Sequence, residues 1–235
     1  MQTAPDTLIL IPTYNNAGTV GDVVQRAQAT GLPVMVVDDG STDNTSAVLA
    51  GFQELTIIKH AQNRGKGFAL KTGFLKAREL GYAYVITLDA DGQHFPEDVP
   101  QLLSHKAPRT LVVGSRRQRG NSGGSSFANN FSNFWFRLYT WRNLPDTQTG
   151  YRLYPLESLP GLWLLSARYE AELTLLVFSA WKGLHLQPVT VQVCYPEDRV
   201  SHFRPVQDFL RITLLNTVLL LVALVYGWPR MLIGK

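Results

Sequence analysis

Two carboxylates one residue apart close an apolar run, Tyr84-Val85-Ile86-Thr87-Leu88-Asp89-Ala90-Asp91-Gly92-Gln93-His94. On a continuing strand Asp89 and Asp91 would share a face with neighbouring odd positions, but Gly92 permits a break that turns both towards one point. Two hard oxygen donors at a strand's carboxyl end suit Mg²⁺ or Mn²⁺, ions that keep waters and complete their shell with substrate phosphates. The mutual repulsion of the carboxylates also calls for a cation. The chemistry implied is the handling of a phosphorylated substrate. Asp89, Asp91 and Gln93 are the candidate metal ligands, and the Ala90 backbone lies between them.

Further polar clusters punctuate the chain. Asp38-Asp39-Gly40-Ser41-Thr42-Asp43 follows an apolar run and precedes a helix-like segment. A carboxylate there can accept hydrogen bonds from a base N–H or a ribose hydroxyl, or simply cap the helix. Pro12-Thr13-Tyr14-Asn15 offers an aromatic ring to the same base, or is an ordinary turn. Asn63-Arg64-Gly65-Lys66-Gly67 is glycine-rich and basic but fits neither G-x-x-x-x-G-K-[S/T] nor G-x-G-x-x-G, whose third glycine is here Leu70. It is either a solvated helix start or a contact, through Lys66, to a diphosphate. Arg116, Arg117 and Arg119 are candidate phosphate forks on a Gly/Ser-rich loop. Asp146–Arg152 reads as a turn leading into a strand. Arg199–Arg204 offers two arginines and His202.

These clusters need a scaffold. Thr7–Ile11, Val34–Val37, Leu55–Lys59, Ala83–Leu88 and Leu111–Gly114 read as strands, with helices over Val20–Ala29, Thr42–Phe52, Gly67–Leu80 and Pro96–His105. Strands that are continuously apolar are buried on both faces, which predicts an α/β fold with a mostly parallel sheet flanked by helices. Ligands in such sheets bind beyond the carboxyl ends of the strands, where the polar clusters fall. Further on, Phe127–Trp141 is a helix dense in aromatics. Gln148–Tyr154 and Leu186–Cys194 read as strands around a helix at Glu170–Trp181.

The chain has 235 residues, 45% of them apolar, a formal charge of +4 and a pI near 9.2. That length supports a full domain with a sizeable core. The mild basicity fits a phosphorylated ligand or anionic lipid, and without a long basic run nucleic acid is not expected. The single cysteine, Cys194, excludes an internal disulfide framework, fits a reducing compartment and is expected to be buried. No signal peptide is read at the N-terminus. Ile212–Trp228 carries no charge over 17 residues, close to the lower limit for a bilayer span. It reads as a short spanning helix, a helix lying in one leaflet, or a core helix. The expected division is residues 1–204 for the catalytic domain and 205–235 for a membrane-associated helix and tail.

Taken together, Pro12–Asn15, Asp38–Asp43, Asn63–Gly67, Asp89–Gln93, Gly114-Ser115-Arg116 and Asp146–Arg152 resemble a family-2 glycosyltransferase, on the dolichol-phosphate mannosyltransferase-like branch and in a bacterial subgroup. The resemblance implies a GT-A fold, a nucleotide-sugar donor and Mg²⁺ or Mn²⁺. It assigns Pro12, Tyr14, Asn15, Asp38 and Asp39 to the nucleoside, and Lys66, Asp89, Ala90, Asp91 and Gln93 to the diphosphate and metal. Arg116 and Arg117 would face the phosphates, and Asp146 the acceptor, as a base if the acceptor is a hydroxyl. The paired membrane helices of many bacterial relatives are missing. The Q-x-x-R-W signature of processive synthases is also missing, so transfer of a single sugar to a lipid acceptor such as a polyprenyl phosphate is expected. The expected location is the cytoplasmic face of the inner membrane, where nucleotide sugars are found, and a homo-oligomer is left open. A sugar nucleotidyltransferase and a non-catalytic membrane scaffold on the same fold are the competing readings.

Overall fold

The computed structural model describes residues 5–116, 123–161, 170–194 and 205–233, without the side chains of 123–128, 170, 205–212 and 214. Arg117 and Arg119, and Arg199–Arg204 with His202, lie outside the described residues. Seven strands form one sheet in the order β3-β2-β1-β4-β6-β5-β7. They are β1 (Thr7–Thr13), β2 (Val34–Asp38), β3 (Leu55–Lys59), β4 (Tyr84–Thr87), β5 (Thr110–Arg116), β6 (Arg152–Pro155) and β7 (His185–Val191). Only β6 runs antiparallel, between β4 and β5. The α/β, mostly parallel architecture expected from the sequence is the one found.

Residue alternation divides the core in two. Leu8, Leu10, Met35, Val37, Val85 and Tyr154 point to one face. There they meet α3 (Lys66–Glu79), α5 (Gly123–Thr140) and α6 (Glu170–Trp181). Ile9, Ile11, Val34, Val36, Ile86 and Leu153 point to the other. That face is covered by α1 (Val20–Gln28), α2 (Thr45–Leu49) and α4 (Val99–Leu103). Burial on both faces is why β1 and β2 are apolar throughout, whereas edge strand β3 is half exposed. Gly73 lets α3 sit directly on β1, since a Cβ there would fall 2.3 Å from a Leu10 methyl.

Several boundaries differ from the sequence expectation. The helix expected over Thr42–Phe52 is only Thr45–Leu49, because Ser41, Thr42 and Asp43 bond to Asn15 and Ala17 across the turn. The segment Gln148–Gly150 is loop, and the strand begins at Arg152. The Pro96–His105 helix starts as a 3₁₀ turn, Pro96–Asp98, before α4. The chain leaves the sheet at Val191, so Cys194, expected to be buried, is exposed beyond the strand end. The C-terminal helix runs through α7 (Pro205–Val222), a π-helical turn at Ala223–Gly227 and α8 (Trp228–Ile233).

Candidate active site

The parallel register aligns Thr13 with Asp38, and Asp38 with Lys59. With Leu88-Asp89 after β4 and Arg116 ending β5, the expected clusters reach one edge of the sheet. A recess of about 470 Å³ opens beyond β2 and β3, lined by Gly40, Ser41, Thr42, Lys59, His60 and Ala61. Tyr14 borders this end of the sheet with its ring partly exposed.

The nucleoside-side carboxylates are buried and hold the chain's own donors. Asp38 accepts from the Ser41 N–H at 2.8 Å and the Ser46 hydroxyl at 2.7 Å. Burial works against its charge, but those bonds prevail and its pKa lies below the ordinary carboxylate value. Asp39 accepts from the N–H groups of Arg64 at 3.1 Å and Gly65 at 2.6 Å, and lies 2.6 Å from His60 Nδ1. It thereby pins the Asn63–Gly67 loop to the end of β2. Gly40, at φ 76°, packs so closely on that loop that a Cβ would fall 2.5 Å from the Gln62 carbonyl carbon. Asn15, itself at φ 54°, accepts from the Thr42 N–H at 2.8 Å. Pro12 is buried beneath. Gly40 lines the recess with Ser41, Thr42, Lys59, His60 and Ala61, and the bonds of Asp38, Asp39 and Asn15 fix the turn and loop beside it.

The chain breaks after β4 as the sequence implied. Gly92 has φ 74°, and Asp91 Oδ1 accepts from the Gln93 N–H at 3.0 Å, which fixes that carboxylate in a tight turn. The Thr19 hydroxyl ties down the Ala90 carbonyl at 2.6 Å. A cation that offsets Asp89 lies within the chain. Lys66 Nζ lies 2.7 Å from Asp89 Oδ1 and 2.9 Å from Glu172 Oε2. Burial disfavours the ammonium, yet the two carboxylates more than compensate, lifting the Lys66 pKa well above the lysine range. Burial would likewise raise the Asp89 pKa, and the Lys66 charge holds it below the ordinary value.

Gly150 closes over this pair, since a Cβ there would lie 2.6 Å from Asp89 Oδ2 and 2.9 Å from Lys66 Nζ. The Thr87 hydroxyl donates to the Gly150 carbonyl at 2.6 Å and fixes the approach. Beside it, the buried His94 ring tilts on Tyr151 at 5.3 Å, and burial keeps its pKa below the ordinary imidazole value.

Arg116 and Asp146 meet each other. Arg116 Nε is 2.5 Å from Asp146 Oδ2 and its Nη2 is 3.1 Å from Oδ1, a two-pronged pair with Asp146 almost wholly buried. The loop carrying Asp146 hangs from α5. Asn133 donates to the Pro145 carbonyl and accepts from the Thr147 N–H, while Asn129 also donates to Pro145. Arg152, read from the sequence at the passage from turn to strand, opens β6, is fully buried and donates to the Thr147 and Glu172 carbonyls.

Glu172 is the functional neighbour that sequence reasoning missed, along with His60. Neither stands in a local pattern that marks it, and Glu172 reaches Lys66 from the far side of the chain.

A metal fits this donor set. The Asp91 carboxylate is fixed by a turn, Gln93 follows it two positions on, and Asp89 precedes it by two with its charge balanced by Lys66. Among the described residues no three His, Cys, Asp or Glu side chains group into an all-protein cage. An ion held here would therefore take waters and substrate oxygens as its remaining ligands, the habit of Mg²⁺ and Mn²⁺.

Known proteins share both sequence and fold. The family description "Glycosyl transferase family 2" matches residues 8–159. The UDP-N-acetylglucosamine–dolichyl-phosphate N-acetylglucosaminyltransferase of Methanococcus voltae is 30% identical over 223 residues, covering 80% of this chain and 86% of the relative. The undecaprenyl-phosphate mannosyltransferase of Micrococcus luteus is 31% identical over 171 residues, 66% of this chain and 68% of the relative. Glucosyl-3-phosphoglycerate synthase of Mycobacterium tuberculosis, solved with Mn²⁺, UDP and glucosyl-3-phosphoglycerate, superposes with a TM-score of 0.67. That match has 20% identity and covers 92% of this chain and 79% of the synthase, so it speaks for a shared fold.

Proposed function

The chain belongs to glycosyl transferase family 2, and from that premise we propose that it moves one sugar from a nucleotide-diphosphate donor to a polyprenyl phosphate, with inversion at the anomeric carbon. Membership of that family speaks against the nucleotidyltransferase and scaffold readings. The observation that carries the proposal is the end of β4, where the turn-held Asp91 stands before a Lys66–Asp89–Glu172 triad. The names of the relatives from Methanococcus voltae and Micrococcus luteus, which specify dolichyl and undecaprenyl phosphate, support the acceptor class.

The recess lined by Gly40, Ser41 and His60, with Asp38 and Asp39 bracing the turn behind it, receives the nucleoside against Tyr14. Asp91 and Gln93, with Asp89 behind them, hold Mg²⁺ or Mn²⁺ and through it the diphosphate. The bound ion supplies Lewis-acid stabilisation of the charge that develops on the leaving group. Lys66 keeps Asp89 ionised and oriented. Arg116, fixed by Asp146, presents its guanidinium towards the phosphates, and Arg117 belongs to the same group by sequence.

An acceptor phosphate is largely dianionic at neutral pH, since its second pKa is about 6, so it attacks without a general base. Asp146, already committed to Arg116, then serves as a positioning residue. Residues 1–204 form the catalytic unit and 205–235 its membrane attachment, on the cytoplasmic side where nucleotide sugars are available. Mass spectrometry of the lipid product tests this. One sugar on one phosphate, with the anomeric configuration opposite to the donor's, is expected; a sugar diphosphate lipid or a retained configuration would refute it.

A further inference from the structure

The C-terminal helix is apolar on two sides, and among the described residues only one side packs on protein. Asn216, Leu219, Ala223 and Gly227, spaced three and four apart, are the buried stripe along α7 and the π turn. Specific contacts fix that stripe. The Tyr139 hydroxyl lies 3.0 Å from both the carbonyl and the side-chain oxygen of Asn216. Gly227 sits under Trp181, so closely that a Cβ would fall 2.3 Å from the ring. Trp141 stacks on Trp228 with centroids 5.8 Å apart, and Arg230 Nε donates to the Trp181 carbonyl. The helix is thus fastened lengthwise to α5 and α6, from Asn216 to Arg230.

The opposite side is bare and equally apolar. Leu221 is 58% exposed, Val225 81% and Ile233 84%. Leu215–Ile233 is 19 residues long with mean hydropathy 1.5 and only 22% of its length buried. Across the Trp141–Trp228 stack this surface continues onto α5, where Phe131 and Phe134 are exposed. A groove of about 430 Å³ runs there between Phe134, Leu138 and Trp141, with Arg137 on its wall. Neither Gly123–Thr140 nor Leu215–Ile233 contains an acidic residue. Among the described residues no carboxylate pairs with Arg137 or Arg230. An apolar face with aromatic residues and arginines beside it matches the boundary between acyl chains and anionic headgroups.

We propose that Phe131 and Phe134 of α5, Trp141 just beyond its end and the outer face of α7–α8 form one surface that lies on an anionic bilayer, with the C-terminal helix in the plane of the interface and not across it. The inference rests on the lipid-acceptor reading and sharpens it. Length alone permits a span, because a helix rises about 1.5 Å per residue and a bilayer core is about 30 Å thick. A spanning helix would have to abandon the whole Asn216–Arg230 contact. The placement also joins membrane and site. One face of α5 presents Phe131 and Phe134, and another suspends, through Asn129 and Asn133, the loop whose Asp146 holds Arg116.

Side-specific labelling tests this on the full chain. The exposed native Cys194 marks the side of the catalytic domain, and Lys235→Cys in a Cys194→Ser background marks the C-terminus. A membrane-impermeant maleimide is applied to intact spheroplasts and to inverted membrane vesicles. Both cysteines are expected to react only in inverted vesicles. Reaction of Lys235→Cys in spheroplasts would show a spanning helix and overturn the placement, as would recovery of the unmodified protein in the soluble fraction.

A flotation assay with phosphatidylglycerol/phosphatidylcholine vesicles adds a second arm. Phe134→Glu with Val225→Glu is expected to weaken binding at least tenfold, and Leu75→Glu, at an exposed leucine of α3, to leave it unchanged. Equal binding by all three proteins would overturn the assigned surface. Neither readout needs turnover, so failed sugar transfer with same-side labelling would count against the lipid-acceptor reading alone.

Discussion

Replacing Lys66 with Met leaves Asp89 and Glu172 facing each other with no cation between them. Both carboxylates lie within hydrogen-bond distance of the same ammonium nitrogen. Two like charges about 5 Å apart in an effective dielectric near 20 repel by about 3 kcal/mol. Breaking a buried ion pair by removing one partner costs about 3–5 kcal/mol. Here the Lys66, Asp89 and Glu172 side chains keep 21%, 27% and 10% exposure. Solvent screens part of the repulsion, which brings the expected loss to about 2–4 kcal/mol. For a chain of this length each kcal/mol lowers Tm by about 2–4 °C, so a fall of about 4–16 °C is expected.

The pH dependence has a definite sign. In the parent the Asp89 pKa is depressed, so its contribution is present above the unfolded carboxylate value and lost only as pH falls through the lower folded value. The Lys66 and Asp89 contributions in the parent are therefore unchanged between pH 7.5 and 5. In Lys66→Met the repulsion between the two carboxylates favours proton uptake, so acidification relieves it. Protonation of the adjacent His94 would act in the same direction. The deficit should shrink at pH 5. Calorimetry of both proteins in EDTA at the two pH values measures it. A variant melting within about 1 °C of the parent at pH 7.5, or a deficit that widens at pH 5, would refute the reasoning.

Other substitutions separate roles. Asp146→Asn weakens a charge-assisted pair worth about 1.5–3 kcal/mol, and kcat/KM should fall about 10–100-fold with the shape of the pH–rate profile unchanged. Loss of the profile's acidic limb together with a drop beyond about 10³ would make Asp146 the general base instead. Gly227→Val overpacks the Trp181 contact, and a loss of about 1–3 kcal/mol is expected in thermal unfolding. Gly18→Ala is the control, since a Cβ there meets nothing within 4 Å; equal Tm values for the two variants would mean that the C-terminal helix is not docked at Trp181.

What could be read from the residues was local. Apolar runs ending in polar clusters located β1, β2 and β4, and with them the edge of the sheet where the candidate site lies. The Asp89-x-Asp91-Gly92 spacing announced both the turn and the need for a cation. It did not say that the first cation is Lys66, or that Glu172 shares it, because an ion pair between residues more than a hundred positions apart leaves no periodic trace. Asp39 was legible as either a ligand-binding carboxylate or part of a capped turn. Its acceptors are engaged by the Arg64 and Gly65 N–H groups, a use of carboxylate that composition does not distinguish from binding a ribose. Arg152 sat in a polar stretch, yet β6 inserts antiparallel between two parallel strands and carries it into the core. In the C-terminal helix both faces are apolar, so hydropathy alone could not show which face packs on α5 and α6; the Asn216–Gly227 stripe does.

The most direct test is nucleoside diphosphate release from a panel of nucleotide sugars, with Mg²⁺ or Mn²⁺ and polyprenyl phosphate in vesicles, comparing the parent with Asp91→Ala. Release from one donor, dependent on both metal and acceptor and reduced at least a thousandfold by Asp91→Ala, is the predicted result. Release that persists in the variant, or that is indifferent to added polyprenyl phosphate, would contradict the account.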